Sequence, residues 1–334
     1  MTCQQRASQS SATRFASLFF LITITLALVG CSDETGDPND GDAGAGGTGA
    51  TGAMGGAAGA AGGGWPGGGG PGGAGQGGSG GQEPPPIIGP AGQFNLQINV
   101  DGVSRSYVLN VPQSAVDTMA SGPVPILFAL HGAGDNASNF IAATGLTTTA
   151  SDNGFVLVGP NGYNAGWFVQ ENEGWPGSDG HSSSLQNDTQ LLLDIMAETA
   201  LSYYLDPQRR YAVGHSRGAG FTGLLATTSG QTTIASGPYQ SPFAAYAINA
   251  GYDPAQGAID PALAVPKRPV WLIHGSADSV VPTSYGQSFA NALTAAGWDA
   301  TWTLVSGASH TWLWKSAYGQ TNQDLWAFFA SHEL

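Results

Sequence analysis

Cysteine and basic residues are scarce in this chain. It has two cysteines in 334 residues, Cys3 and Cys31, and both lie near the N-terminus. The rest of the chain therefore has no thiol for a disulfide or a thiolate metal site. From residue 91 onward there are 17 acidic but only seven basic residues. Because binding to nucleic-acid phosphates requires clustered Lys and Arg side chains, the sequence predicts no nucleic-acid partner.

Charged and apolar residues are also sparse between Ser32 and Pro90, a segment that holds 25 of the 52 glycines. No charged residue occurs from Ala43 to Gln82. Too few apolar side chains are present to offset the entropy lost when the backbone is ordered. We therefore expect a disordered Gly/Pro-rich tether over residues 31–90, followed by one globular domain of ordinary size over residues 91–334.

The N-terminus has the pattern of a targeting signal. Arg6 and Arg14 precede the apolar run Phe15–Val29, which is shorter than the ~20 residues of a spanning helix. Residues 1–30 are therefore predicted to be a signal peptide. The run ends in Leu28-Val29-Gly30-Cys31, which resembles the bacterial lipoprotein lipobox. The resemblance implies a lipid on Cys31 as the only membrane contact, at the cell envelope or cell surface; an ordinary secretory signal with extracellular release is the alternative.

The domain alternates strands with helices. Alternating apolar and polar residues in Phe94–Val100 and Arg105–Val111 are typical of an antiparallel hairpin at a sheet edge. Continuous apolar runs predict strands buried on both faces: Pro125–Leu130, Gly154–Val158, Arg210–Val213, Phe243–Asn249 and Val270–Ile273. Helical stretches come between or after them: Asp188–Tyr204, Gly218–Thr228, Ser284–Ala296 and Asn322–Ser331. This order predicts an α/β fold with a mostly parallel sheet and helices on both faces.

A Gly-x-Ser-x-Gly pattern at Gly214–Gly218 centres on Ser216. It follows a buried strand and opens a predicted helix, the context in which this motif presents a serine nucleophile on a sharp turn. The same pattern at Gly77–Gly81 lies in the tether and lacks that context. Ser216 is therefore the candidate nucleophile.

Such a serine needs a general base and a carboxylate that orients the base. Asp278 follows the strand that ends at Ile273, and His310 follows a strand at Thr301–Val305. Both positions lie at the carboxyl edge of the sheet, and the chain order Ser, Asp, His is the one that this fold class uses. We predict His310 as the base and Asp278 as its partner.

Two backbone N–H groups are expected to bind the oxyanion of the tetrahedral intermediate. One belongs to Arg217, directly after the nucleophile, and the other to Ala133, in the Gly-rich loop after the strand that ends at Leu130. The side chain of Arg217 has two interpretations. It meets a carboxylate, from the acidic 171–179 segment or from the substrate, or it packs its stem on the surface with its head in water.

Four segments carry a family resemblance: Gly214–Gly218, Leu130–Gly132, His274–Pro282 and His310–Trp312. Together they resemble α/β-hydrolase esterases of the polyhydroxybutyrate depolymerase and feruloyl esterase group, over Gln93 to the C-terminus. The resemblance implies a Ser-Asp-His triad without metal or cofactor. It also implies ester substrates, either polyesters or feruloyl or acetyl esters of polysaccharide. The chain departs from the family at Ala133, where a cysteine is usual, and at Leu313-Trp314, where Pro-Gly is usual.

Aromatic residues are candidates for substrate binding. Trp167 and Trp175 lie in the long stretch Gly162–Ser184, which could overhang the nucleophile, and Trp312 follows the predicted base. Their rings could stack on a sugar or a phenolic acyl group. The alternative is that the rings of the long stretch pin it to the body of the domain.

Two other functions share these features. A serine peptidase uses the same triad chemistry, because a fold does not determine the function. A catalytically silent polysaccharide-binding module could use the same cleft. The presence of all three triad residue types favours an enzyme, and the absence of an access-restricting second module favours ester substrates.

Overall fold

An eight-stranded sheet lies at the centre of this computed structural model, which describes residues 88–169, 184–254 and 259–334. The strands are Gly92–Val100 (β1), Val103–Val111 (β2), Val124–Leu130 (β3), Val156–Pro160 (β4), Leu205–His215 (β5), Thr233–Ile234 (β6), Gly237–Pro238 (β7), Ala245–Asn249 (β8), Val270–Gly275 (β9) and Ala300–Val305 (β10). The short strands β6 and β7 form a separate hairpin. The predicted signal peptide, Cys31 and the tether as far as residue 87 lie outside the described residues.

The strand order in the large sheet is β1-β2-β4-β3-β5-β8-β9-β10. β1 and β2 form the antiparallel hairpin that the alternating pattern predicted, and β2 joins the sheet antiparallel to β4. The other six strands, which are adjacent in the order β4-β3-β5-β8-β9-β10, are all parallel to one another. Every residue of β3, β4, β8 and β9 is buried, which explains their continuous apolar composition.

Helices cover both faces of the sheet. They are Gln113–Met119 (α1), Ala137–Thr144 (α2), Leu146–Asn153 (α3), Leu185–Ala200 (α4), Arg217–Thr227 (α5), Thr283–Ala295 (α6) and Asn322–Ala330 (α7). Apolar residues of α4, α5 and α6 pack on one face with alternate β3 residues such as Phe128, while α2, α3 and α7 pack on the other with Leu127. Among the described helices, none is both long and apolar enough to cross a membrane.

Side-chain caps determine where several helices begin. Ser184 accepts a hydrogen bond from the Asn187 N–H and starts α4 three residues before the predicted start at Asp188. Thr321 and Asp324 form a reciprocal capping box at the start of α7. The sequence pattern did not predict α1, α2 or α3, which have seven or eight residues each.

The sheet topology creates a crevice between β3 and β5. The chain moves from β3 outward to β4 and then returns to place β5 on the other side of β3. Helices that follow β3 and β5 therefore cover opposite faces of the sheet, and a cleft opens at the carboxyl ends of these strands. The predicted nucleophile follows β5 and the predicted oxyanion loop follows β3, so both lie at this cleft.

Candidate active site

The predicted nucleophile lies on a sharp turn between β5 and α5. Ser216 has φ 56° and ψ −118°, a conformation that costs a non-glycine residue about 1–3 kcal/mol. Its N–H donates to the backbone carbonyl of Asn249 at 3.0 Å. Although Ser216 occupies the N-cap position of α5, its side chain makes no capping hydrogen bond. The hydroxyl is therefore not used to stabilise the helix.

Two glycines allow this turn to pack closely. A Cβ atom on Gly214 would overlap the backbone carbonyl of Gly218. A Cβ atom on Gly218 would overlap the carbonyl oxygens of Leu130 and His131 at the end of β3. Any side chain at Gly218 would therefore push the nucleophile away from the loop that follows β3.

The buried carboxylate of Asp278 holds the ring of His310. Its Oδ2 atom lies 2.7 Å from His310 Nδ1, and its Oδ1 atom accepts the N–H groups of Val280 and Val281, each at 2.9 Å. Burial opposes ionisation, but the hydrogen bonds from His310 and from the two amides outweigh it and lower the pKa of Asp278. The charged carboxylate orients His310 with its proton on Nδ1, which leaves Nε2 able to accept a proton.

His310, the predicted base, also lies beside the turn that carries Ser216. The side chain of His310 is 14% exposed, and its ring centroid is 4.8 Å from that of His215, the residue before Ser216. β5, β9 and β10 are parallel members of one sheet, so the residues that follow them meet at one edge. The structure thus brings Ser216, Asp278 and His310 to the same edge of the sheet.

A second histidine supports the aspartate loop. His274 is fully buried at the end of β9. Its Nε2 atom lies 2.9 Å from the carbonyl of Val281 and 3.2 Å from Asp278 Oδ2. His274 therefore ties both the backbone of this loop and its carboxylate to the strand.

The loop after β3 carries the predicted oxyanion donor Ala133. Gly132 approaches the nucleophile so closely that a Cβ atom built on it would lie 3.4 Å from Ser216 Cβ. His131 is fully buried; its Nδ1 atom lies 2.7 Å from the carbonyl of Gly132, and its Nε2 atom accepts the Gly162 N–H at 3.0 Å.

Those two hydrogen bonds require the proton of His131 on Nδ1, and burial lowers the pKa of this ring. The carbonyl of Gly132 and the N–H of Ala133 belong to one trans peptide group and point in opposite directions. His131 therefore fixes the direction of the Ala133 N–H. The other predicted donor, the N–H of Arg217, is the first amide of α5, where the helix dipole favours negative charge. The assignment of both groups to the oxyanion stays a prediction.

The structure corrects the prediction that Trp167 and Trp312 bind substrate. Trp167 is fully buried and stacks on Phe221 with ring centroids 5.3 Å apart, and its Nε1–H donates to the His131 carbonyl at 3.0 Å. Trp312 is only 5% exposed and donates to Asn322 Oδ1 at 2.9 Å. Both rings hold loops on the body of the domain. Trp175, the third predicted residue, lies outside the described residues.

The side chain of Arg217 contacts the protein. Its Nε–H donates to the Trp167 carbonyl at 2.7 Å. Nearby, the fully buried Asp188 pairs with Arg105 at 2.9 Å and accepts the Phe168 N–H at 2.8 Å. Burial raises the pKa of Asp188, and the charges of Arg105 and Arg217 partly offset this shift. Asp188 on α4 is therefore one carboxylate close to Arg217, and the 171–179 segment that the sequence had suggested lies outside the described residues.

We expect Arg217→Gln to lower stability more than it lowers catalysis. Loss of the hydrogen bond to Trp167 and of the charge near Asp188 should reduce the free energy of unfolding by about 1.5 kcal/mol, since Arg217 is partly exposed. The backbone N–H is retained, so hydrolysis of a small neutral ester should change less than about threefold. Thermal denaturation and ester kinetics measure both effects. Lys267→Gln removes the same charge at an exposed position and serves as the control; an equal Tm for both variants would contradict the assigned contact.

No cluster in the described ranges offers three or more His, Cys, Asp or Glu side chains to a metal ion. The acidic segment around residues 171–179 lies outside those ranges.

Comparison with known proteins identifies the fold of the chain. No protein-family model matches the chain. A crystal structure of a thermostable esterase superposes with a TM-score of 0.55 at 18% identity, covering 72% of this chain and 63% of that one. The chain has the α/β-hydrolase fold.

Two curated fungal proteins are similar in sequence. A probable feruloyl esterase C of Aspergillus flavus is 27% identical over 199 residues, which are 57% of this chain and 61% of the relative. Feruloyl esterase B of Neurospora crassa is 31% identical over 114 residues, 34% of this chain and 37% of the relative. The chain thus spans less than two thirds of the length of these relatives.

Proposed function

We propose that this protein is a serine carboxylic-ester hydrolase that works through an acyl-enzyme on Ser216. The observation that carries the proposal is the hydrogen bond of 2.7 Å between Asp278 and His310 at the sheet edge where Ser216 occupies a strained turn with φ 56°. A buried carboxylate, an oriented imidazole and a serine on such a turn are the parts that acyl transfer requires. The similarity to proteins named feruloyl esterases favours esters as substrates.

The mechanism assigns a role to each of these groups. Ser216 Oγ attacks the ester carbonyl while His310 Nε2 takes its proton, and the N–H groups of Ala133 and Arg217 bind the oxyanion. Collapse of the tetrahedral intermediate transfers the proton from His310 to the leaving alcohol and leaves the acyl group on Ser216. Water, deprotonated by His310, then releases the acid. Asp278 stays ionised and stabilises the imidazolium in both halves of the reaction.

The proposed substrates are polyesters or feruloyl and acetyl esters of polysaccharide. Support comes from the similarity to feruloyl esterases, over the part of the chain that the alignment covers. The burial of Trp167 and Trp312 removes two of the rings that had favoured stacking on a sugar or a phenolic group.

A substrate panel tests this function. We expect the purified protein to hydrolyse at least one of the acetyl, butyryl, feruloyl and hydroxybutyrate esters, and Ser216→Ala to hydrolyse none. Cleavage of peptide amides without cleavage of esters would favour a serine peptidase. Retention on insoluble polysaccharide without hydrolysis of any substrate would favour a binding module.

The proposal includes secretion and a lipid anchor on Cys31, supported by the lipobox-like end of the apolar run. Replacing Cys31 with Ala should release the protein from the membrane fraction, because a single chemical anchor is removed. Cys3→Ala is the matched control, since Cys3 lies in the segment that the signal peptidase would remove. Immunoblots of membrane and soluble fractions measure the effect. Membrane association that persists in Cys31→Ala would overturn the anchor.

A further inference from the structure

Asn249 touches both the nucleophile turn and the loop of the base. It is the last residue of β8, pairs with His215 in the sheet register and is fully buried. Its backbone carbonyl accepts the N–H of Ser216 at 3.0 Å. Its side chain extends to the two residues that flank Trp312: Nδ2 donates to the Thr311 carbonyl at 2.8 Å, and Oδ1 accepts the Leu313 N–H at 3.0 Å. One buried residue therefore connects the segments that carry Ser216 and His310.

The two backbone contacts fix the orientation of the Asn249 amide. Oδ1 must face the N–H of Leu313, and Nδ2 must face the carbonyl of Thr311. The same Nδ2 group lies 2.6 Å from His215 Nδ1. Because Nδ2 can only donate, His215 Nδ1 must be an unprotonated acceptor, and the neutral ring carries its proton on Nε2.

The surroundings of His215 also favour a neutral ring. It stacks on Phe140 with centroids 6.3 Å apart, and the ring of His310 lies on another side. Burial, followed by the neighbouring charge of His310, lowers the pKa of His215 to about 3, although the charge of Asp278 and a hydrogen bond to the backbone of Asn249 act in the opposite direction. His274 also lowers it. Asp278 and His310 lie in the loops after β9 and β10, and His274 lies at the end of β9.

We infer that Asn249 is a positioning residue of the proposed hydrolase: it holds the His310 loop against the Ser216 turn and keeps His215 neutral. The inference rests on the proposed function, in which His310 becomes an imidazolium. A second positive charge on a ring with its centroid 4.8 Å away would oppose that step, because charges interact strongly where water is excluded. A neutral His215 leaves Asp278 as the charged partner of His310.

Two substitutions separate this role from simple packing. Asn249→Leu has a similar volume but removes all three side-chain hydrogen bonds, which frees the His310 loop. Asn249→Asp keeps the shape of the side chain and the acceptor for Leu313 but replaces the donor to His215 with a carboxylate. A neighbouring carboxylate favours the protonated ring and should therefore raise the pKa of His215. Asn153 offers a matched control, because its side chain donates to Thr149 and Gln323 away from the site. Asn153→Leu and Asn153→Asp are therefore made in parallel.

The first measurement is kinetic. Steady-state hydrolysis of a small neutral ester and the inactivation rate with a fluorophosphonate are measured for each full-length variant. We expect Asn249→Leu to lower kcat and the inactivation rate about 10- to 100-fold, with KM changed less than about threefold. A displacement of the general base by about 1 Å lowers the reaction rate by this amount. Both Asn153 variants should keep the rates of the wild type. A folded Asn249→Leu protein with wild-type rates would overturn the inference.

The second measurement is an NMR titration of the histidine ring protons between pH 5 and 9, and it does not depend on turnover. His215 should not titrate in the wild type or in Asn153→Asp and should titrate in Asn249→Asp. Titration of His215 in the wild type, or its absence in a folded Asn249→Asp protein, would contradict the inference. A wild type that does not react with the fluorophosphonate would overturn the proposed function instead, while the titration would still test the link between Asn249 and His215.

Discussion

Ser216→Ala should lower kcat for every ester substrate by about four to six orders of magnitude, the range expected when a nucleophile that acts together with its base is removed. The fold should be retained, because the Ser216 side chain makes no capping hydrogen bond and alanine fits the same backbone. Ester kinetics and thermal denaturation measure these two results.

Ser138→Ala provides the control, since Ser138 is exposed on α2. It should leave both kcat and Tm unchanged. Retention of more than a small fraction of the activity by a folded Ser216→Ala protein would mean that the nucleophile is another residue.

His310→Ala should have an effect close to that of Ser216→Ala, and the double variant should be scarcely worse than either, because the two groups act as one unit. The substitution also leaves the buried Asp278 without its partner at 2.7 Å, so a lower Tm is expected. Asp278→Asn should cost less, about 10³- to 10⁴-fold, because an amide N–H facing His310 Nδ1 favours the wrong tautomer of the ring.

His332→Ala is the matched control for this prediction, since His332 lies after α7 and bonds to Phe328 and Ser331. Its kcat should equal that of the wild type. If His310→Ala kept near-normal rates, a different group would have to be the base.

The fold could be predicted largely because its strands are buried on both faces. β3 and β9 are continuous apolar runs, and β1 and β2 alternate as a sheet edge requires. The helices α2 and α3 escaped prediction because they are short, and α3 (Leu146–Asn153) is rich in threonine and polar residues with few apolar positions. Asn136, which caps α2 by accepting the Asn139 N–H, was the signal that could have revealed its start.

The candidate site was predictable where a motif or the topology of the parallel sheet determines the position of a residue. Asp278 and His310 follow strands of one parallel sheet, so their meeting could be inferred from chain order. Asn249 gave no such signal, because a polar residue at a strand end acquires its role only from Thr311 and Leu313, more than sixty residues away in sequence. Trp167 was misassigned because its burial depends on Phe221 and His131, which belong to other segments.

The most direct test of the proposed acyl-enzyme is mass spectrometry of the protein after an acid quench during turnover of a slowly hydrolysed ester. The account predicts that the mass of the acyl group is added once, on the peptide that contains Ser216, and that Ser216→Ala shows no such addition. Acylation of another residue, or rapid pre-steady-state release of the alcohol without any covalent adduct, would contradict it.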